Sequence, residues 1–146
     1  MYKLIAIDMD GTLLKNDKTV SDRTKKTLKE AREKGVNVVI ATGRPIDGVS
    51  RYLEELDMYG ENDYVLSYNG GLVLKTKDRE PICKIGLTGE DLHYLYEVSK
   101  DLGVNIHAFS ETKGLITPKN SKYTEVEANI NNIKINIEDF NKLEKD

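Results

Sequence analysis

The sequence predicts an α/β protein built on a parallel sheet, and three observations predict it. Three short apolar, β-branched runs each end in a polar segment containing glycine. Stretches with apolar residues at helical spacing separate these runs. Strand, helix, strand, helix, strand in this order gives parallel strands joined by right-handed crossovers.

The first run, Lys3 to Ile7, stops at Asp8-Met9-Asp10-Gly11-Thr12, and reads as a buried strand. Ser21 is a candidate N-cap, and Asp22 complements the positive end of the helix dipole that follows. Leu28 and Ala31, with Thr24 and Thr27, form one face of that helix; Gly35 is placed to end it. The second run, Val36 to Ala41, ends in Thr42-Gly43-Arg44-Pro45. Ile46, Val49, Leu53 and Leu56 then recur at helical spacing. The third run, Tyr64 to Tyr68, ends in Asn69-Gly70-Gly71. In such sheets ligands bind beyond the carboxyl ends of the strands, so these three segments are expected to converge on one crevice.

The second half reads differently. Leu72–Leu74 and Ile82–Ile85 form a hairpin pattern around Lys77-Asp78-Arg79-Glu80-Pro81. Thr88 caps a helix running to Leu102, with Leu92, Leu95, Tyr96, Val98 and Leu102 on its apolar side. Two strand-like runs follow, Val104–Phe109 and Leu115–Thr117, and from Lys119 the periodicity fades into Asn, Lys and Glu. A boundary is expected near residues 79–86.

Composition narrows the function. With 146 residues, 38% hydrophobic and 32% charged, and a net charge of -3, the chain has no basic footprint for nucleic acid or membrane. No apolar run reaches the roughly 20 residues of a transmembrane helix, and the N-terminal run meets Asp8 too early for a signal peptide. One cysteine, Cys83, excludes an internal disulfide and a Cys-rich zinc site. A cytoplasmic protein is expected.

Asp8 and Asp10 carry the chemistry. Two carboxylates crowded at a buried strand end need a cation or a proton, because repulsion and desolvation both oppose them. Mg²⁺ is suited to this, taking a few oxygen ligands and keeping waters. Gly11 permits the turn that aims amide N–H groups at an anion. An Asp carboxylate can attack phosphorus to give an aspartyl-phosphate, and a second carboxyl group can move the proton. A calcium loop is excluded, since positions five and six from Asp8 are Thr12 and Leu13. Neither a Walker-A motif nor a Gly-x-Gly-x-x-Gly fingerprint occurs. His93 and His107 lack acidic partners at metal spacing and read as structural, Cys83 as an inert thiol, and the tyrosines as packing.

Asp8-Met9-Asp10-Gly11-Thr12-Leu13-Leu14 resembles the first signature of haloacid dehalogenase (HAD) superfamily phosphatases. Ala41-Thr42-Gly43-Arg44-Pro45 and Ser67-Tyr68-Asn69-Gly70-Gly71 resemble the second and third core loops of its Cof-type, YidA-like branch of sugar phosphatases. The resemblance implies a three-layer Rossmann-like core, here partial, followed by the first part of an α+β type C2 cap. It divides the chain into core residues 1–81 and cap residues 82–146, with the C-terminal half of the core absent. It implies a Mg²⁺-dependent phosphate monoester hydrolase. Asp8 is then nucleophile and metal ligand, and Asp10 is acid/base with its backbone carbonyl on the metal. Thr42 binds the phosphoryl oxygens; amides around Met9, Asp10 and Gly43 add to that cradle, with Gly11 among the phosphate-binding residues; Arg44 and Asn69 touch phosphate or substrate.

The family pattern also contains a lysine and a Gly-Asp-x-x-Asn-Asp loop after the cap, and neither motif is found here. A truncated chain, inactive by itself, is therefore expected. The first strand should present an open edge with exposed apolar side chains. Another copy, a swapped segment or a missing fragment is expected to cover it. The alternatives are an inactive fragment serving as an assembly or binding module, and a phosphomutase using the same Asp8 chemistry. The expected partner is a small phosphorylated metabolite.

Overall fold

The computed structural model describes residues 2–144, which divide into two compact units after Ile85. The first contains β1 (Leu4–Asp8), α1 (Asp22–Glu33), β2 (Asn37–Ala41), α2 (Ile46–Glu55), β3 (Tyr64–Ser67), β4 (Leu72–Lys75) and β5 (Glu80–Lys84). They form one sheet in the order β1-β2-β3-β4-β5. β1, β2 and β3 are parallel, with Ile7 opposite Ile40 and Ile40 opposite Val65. β4 and β5 add antiparallel strands, with a register shift between Val73 and Leu74. The division after Ile85 lies within the expected range 79–86, and β5 is hydrogen-bonded to β4 and stays with the first sheet.

The caps follow the sequence. Ser21 Oγ accepts from Thr24 N at the start of α1, and Gly35 follows its end at φ +79°. A side chain at that φ is strained, so glycine is the natural stop. Leu28 of α1 packs in one cluster with Val49, Tyr52 and Leu53 of α2 and with Val38, Ile40 and Val65 of the sheet. Met9, Leu13, Leu14 and Val20 extend the same cluster from the loop after β1, so that loop is anchored by its own side chains.

β1 is not the buried strand its apolar run suggests. It is an edge strand, with Leu4 55% and Ile5 38% exposed, as expected for an open edge.

The second unit, residues 86–146, holds α3 (Gly89–Asp101), β6 (Ala108–Ser110), β7 (Gly114–Thr117), α4 (Lys122–Asn131) and β8 (Ile135–Ile137). Its sheet runs β6-β7-β8, antiparallel then parallel. Thr88 and Asp91 close a capping box on α3. The predicted apolar side of α3 is only partly covered, since Leu95 and Leu102 are exposed and Ser99 is its one buried residue. Predicted strand Val104–Phe109 begins later, at Ala108. His93 bonds the Leu143 carbonyl and His107 meets Thr124, so both have structural partners. Cys83 is exposed on β5. No helix among the described residues is long and apolar enough to cross a membrane.

Candidate active site

The three polar segments after β1, β2 and β3 do meet, and backbone hydrogen bonds join the last two. Thr42 N donates to Leu66 O, Tyr68 N to Arg44 O, and Asn69 N to Thr42 O, at 3.0 to 3.1 Å. Asn69 adopts a left-handed backbone (φ +56°), and its side-chain amide lies against Gly43. A Cβ on Gly43 would come within 2.9 Å of Asn69 Oδ1, so this close approach requires glycine.

Asp8 closes β1 and is exposed; Thr12 Oγ1 reaches its Oδ2 at 3.4 Å. The chain then folds tightly, with Leu13 N donating to Asp8 O and Leu14 N to Met9 O. Gly11 takes φ +82° in this turn. Met9 is fully buried in the core, so only its backbone can serve a ligand. Thr42 is buried, and its hydroxyl accepts from Arg44 N at 3.2 Å.

The dominant feature is the environment of Asp10. Arg44 Nε donates to Asp10 Oδ2 at 2.7 Å and Arg44 Nη2 to Oδ1 at 2.8 Å. Lys18 Nζ donates to the same Oδ1 at 2.7 Å. One carboxylate thus holds two cations. The hydrogen bond from Arg44 drives the Asp10 pKa far below the ordinary carboxylate range; burial opposes this, and the Lys18 bond assists it. The same pair raises the pKa of Arg44.

Arg44, expected to touch phosphate or substrate, is 5% exposed and grips Asp10. The charge on the Asp10 carboxylate is balanced by these two protein cations. Sequence reasoning missed Lys18 altogether, along with Tyr52, which fixes it. Tyr52 is 1% exposed, and its hydroxyl donates to Lys18 O at 3.0 Å. The guanidinium of Arg51 lies 4.5 Å from the Tyr52 ring centroid and that of Arg44 5.8 Å. A lysine in a polar turn after the acidic loop was visible, but nothing in the sequence aims it.

The donors fit a hard cation only as a partial set. Asp8 offers carboxylate oxygens, whereas the Asp10 carboxylate is taken, leaving its backbone carbonyl. Among the described residues no group of three or more His, Cys, Asp or Glu gathers to hold a metal. A groove of about 480 Å³ lies at the amino ends of the strands, with Lys29, Arg32, Asn37 and Asp63 in its wall, away from these residues.

Known proteins share this arrangement of sequence and fold. Residues 5–146 match the haloacid dehalogenase-like hydrolase family. "Putative phosphatase YxeH" of Bacillus subtilis is 40% identical, covering 100% of this chain and 54% of the relative. A haloacid dehalogenase-like hydrolase from Bacteroides thetaiotaomicron superposes with a TM-score of 0.84 at 32% identity, over 96% of this chain and 53% of that one. The subclass IIB sugar phosphatase BT4131 shares the fold, with a TM-score of 0.76 at 24% identity over 96% of this chain and 54% of its own. The chain spans about half the length of the relatives it matches. It belongs to the haloacid dehalogenase-like hydrolase family.

Proposed function

We propose that these residues form the nucleophile side of a phosphate monoester hydrolase acting on small sugar phosphates. The observation that carries this reading is the meeting of Asp8, the clamped Asp10, and the Thr42–Gly43–Asn69 junction at the ends of three parallel strands. An oxygen of Asp8 attacks phosphorus, the bond to the leaving alcohol oxygen breaks, and the alcohol takes a proton from Asp10 in those molecules whose Asp10 has first been protonated from solvent. Water then attacks the aspartyl-phosphate, giving its proton to Asp10 and releasing phosphate and free Asp8. The clamp by Arg44 and Lys18 favours the carboxylate form of Asp10, which suits the second step. Thr42 and the amides near Gly43 orient the phosphoryl oxygens. Asp8 and the Asp10 carbonyl would hold Mg²⁺, which supplies charge neutralisation at those oxygens.

The edge strand β1 is the surface that a further strand, a swapped segment or a second copy would cover in this reading. The missing motifs lead to the expectation of a chain inactive by itself; with Asp8, Asp10 and Thr42 in place but only part of a metal site among the described residues, slow turnover is the alternative that the following test separates from it. The test is hydrolysis of p-nitrophenyl phosphate with Mg²⁺ by this chain and by Asp8→Asn. Metal-dependent nitrophenol release by the wild type with background for Asp8→Asn supports the enzyme reading for this chain. Equal background rates overturn the enzyme reading for this chain and leave the binding-module alternative standing.

A further inference from the structure

Lys18 is a second cation on a carboxylate that already has one. Arg44 covers both oxygens of Asp10 and is itself only 5% exposed. Lys18 shares Oδ1 with it while its own side chain is 48% exposed. Asp10 therefore keeps its counter-ion if Lys18 leaves, and Lys18 carries the charge surplus of the three groups.

The turn that presents Lys18 is built rigidly. Lys15 N donates to Thr19 O and Lys18 N to Lys15 O, both at 2.9 Å. Asp17, the nearest acidic neighbour in sequence, is taken by Thr19 (N and Oγ1) and by Lys15 Nζ. Lys18 itself sits at φ +61°, a conformation that costs a side-chain-bearing residue about 1 kcal/mol or more. The buried Tyr52 hydroxyl holds its carbonyl. The turn's own hydrogen bonds and Tyr52 of α2 thus fix a strained, half-exposed lysine beside the acid/base group.

We propose that Lys18 is a substrate-positioning residue that recognises a second anionic group on the leaving alcohol of the phosphate ester. The assignment rests on the function proposed above. The acid/base group must stand within about 3 Å of the leaving oxygen, so Lys18 Nζ, 2.7 Å from Asp10, lies within about 6 Å of it. A carboxylate or second phosphate two or three atoms from the ester oxygen falls in that range. Such a group draws Lys18 from Asp10 while Arg44 stays. A neutral alcohol leaves the Lys18–Asp10 pair intact and gains nothing from it.

The test is calorimetric binding, with Mg²⁺ present, of three non-hydrolysable probes: propylphosphonate, 3-phosphonopropionate and ethane-1,2-diphosphonate. The wild type is expected to bind at least one doubly anionic probe about tenfold more tightly than propylphosphonate, roughly the effect of one partly exposed ion pair with good geometry. Whichever anionic probe binds more tightly identifies the second group as carboxylate or phosphate. Lys18→Gln should erase the preference while keeping propylphosphonate affinity, and Lys18→Arg should retain most of it. Equal binding of all three probes by the wild type, or an unchanged preference in Lys18→Gln, overturns the role of Lys18 alone. Failure of every probe, propylphosphonate included, overturns the phosphoryl site and with it this inference.

Discussion

Breaking the Arg44–Asp10 pair should cost stability in a way that depends on pH with a known sign. The perturbation is a double-mutant cycle of Arg44→Met and Asp10→Ala, read by urea unfolding. The pair makes two charge-assisted bonds, each worth roughly 1.5–3 kcal/mol when well formed. Arg44 is 5% exposed but the Asp10 side chain is 41% exposed, and Lys18 remains on Oδ1 after Arg44 is removed. Solvent screening and that retained partner bring the coupling down to about 2 kcal/mol at pH 7. Asp10 is ionised in the folded chain well below its ordinary value of 3.8, the Arg44 bond being the largest cause. A depressed folded pKa gives stability that is complete above the unfolded value and lost as pH falls through the folded one. The coupling should therefore hold steady from pH 7 to about 4.5, then decline by at most about 1.4 kcal/mol per pH unit. A coupling below about 0.5 kcal/mol at pH 7, or one that changes between pH 7 and pH 5, would refute this account.

Two further predictions concern the same unit. Asp63, buried at 6% exposure, accepts from Arg32 Nη2 at 2.6 Å and Gly60 N at 2.7 Å. Arg32 also donates to the carbonyls of Leu56 and Asp57, so it ties α1 to the chain leaving α2. Asp63→Ala should lower the unfolding free energy by about 2 kcal/mol in urea, since it leaves a half-buried guanidinium short of its charge partner; a loss under about 0.5 kcal/mol counts against it. Gly43→Ala places a methyl group where the Asn69 amide rests, and that amide is the end of a side chain that can swing aside. Propylphosphonate affinity should drop about tenfold or more, with unfolding changed by less than about 1 kcal/mol; unchanged affinity would remove Asn69 from the proposed phosphate site.

The first unit was legible because its local signals agree with its packing. Ser21 and Gly35 bound α1, β-branched runs mark β1 to β3, and helical spacing marks α2. Agreement of caps, periodicity and turns is what a well-specified fold provides. The second unit was less legible for a physical reason. Helix α4 faces inward with Thr124, Ala128 and Asn131, while Tyr123, Val126 and Ile130 are exposed. Its apolar stripe lies on the outer side, so periodicity marks no inner face, and the segment after Lys119 read as featureless. The usable signals were the Ser121 cap, whose Oγ accepts from Thr124 N, and Asn132, whose left-handed conformation ends the helix.

Site chemistry was legible as residue types and illegible as pairings. Motif spacing placed Asp8, Asp10, Thr42 and Asn69 at strand ends, and order along the chain predicted their meeting. Which cation meets which carboxylate depends on side-chain reach across loops. Arg44 lies 34 residues from Asp10, and Tyr52 lies 34 residues from Lys18. Neither contact has a periodicity that a sequence could display.

Backbone strain links the pairings to the loops. The non-glycine residues with positive φ among those described are Lys18, Asp57, Tyr68, Asn69, Arg79 and Asn132. Asp57 and Asn132 follow helix ends, and Arg79 sits in the β4–β5 turn, where such conformations are ordinary. Lys18, Tyr68 and Asn69 surround the candidate site, and each is held by a bond from another element: Tyr52 Oη to Lys18 O, Tyr68 N to Arg44 O, Asn69 N to Thr42 O. Strain of about 1 kcal/mol or more at each persists only where neighbouring structure enforces it. The enforcing groups are the same ones that set the site, since Arg44 grips Asp10 with its side chain and receives Tyr68 with its carbonyl. One residue therefore fixes Asp10 and the loop after β3 together. A ligand meeting this junction finds donors already placed, which is the condition under which fixed dipoles lower a barrier without reorganising.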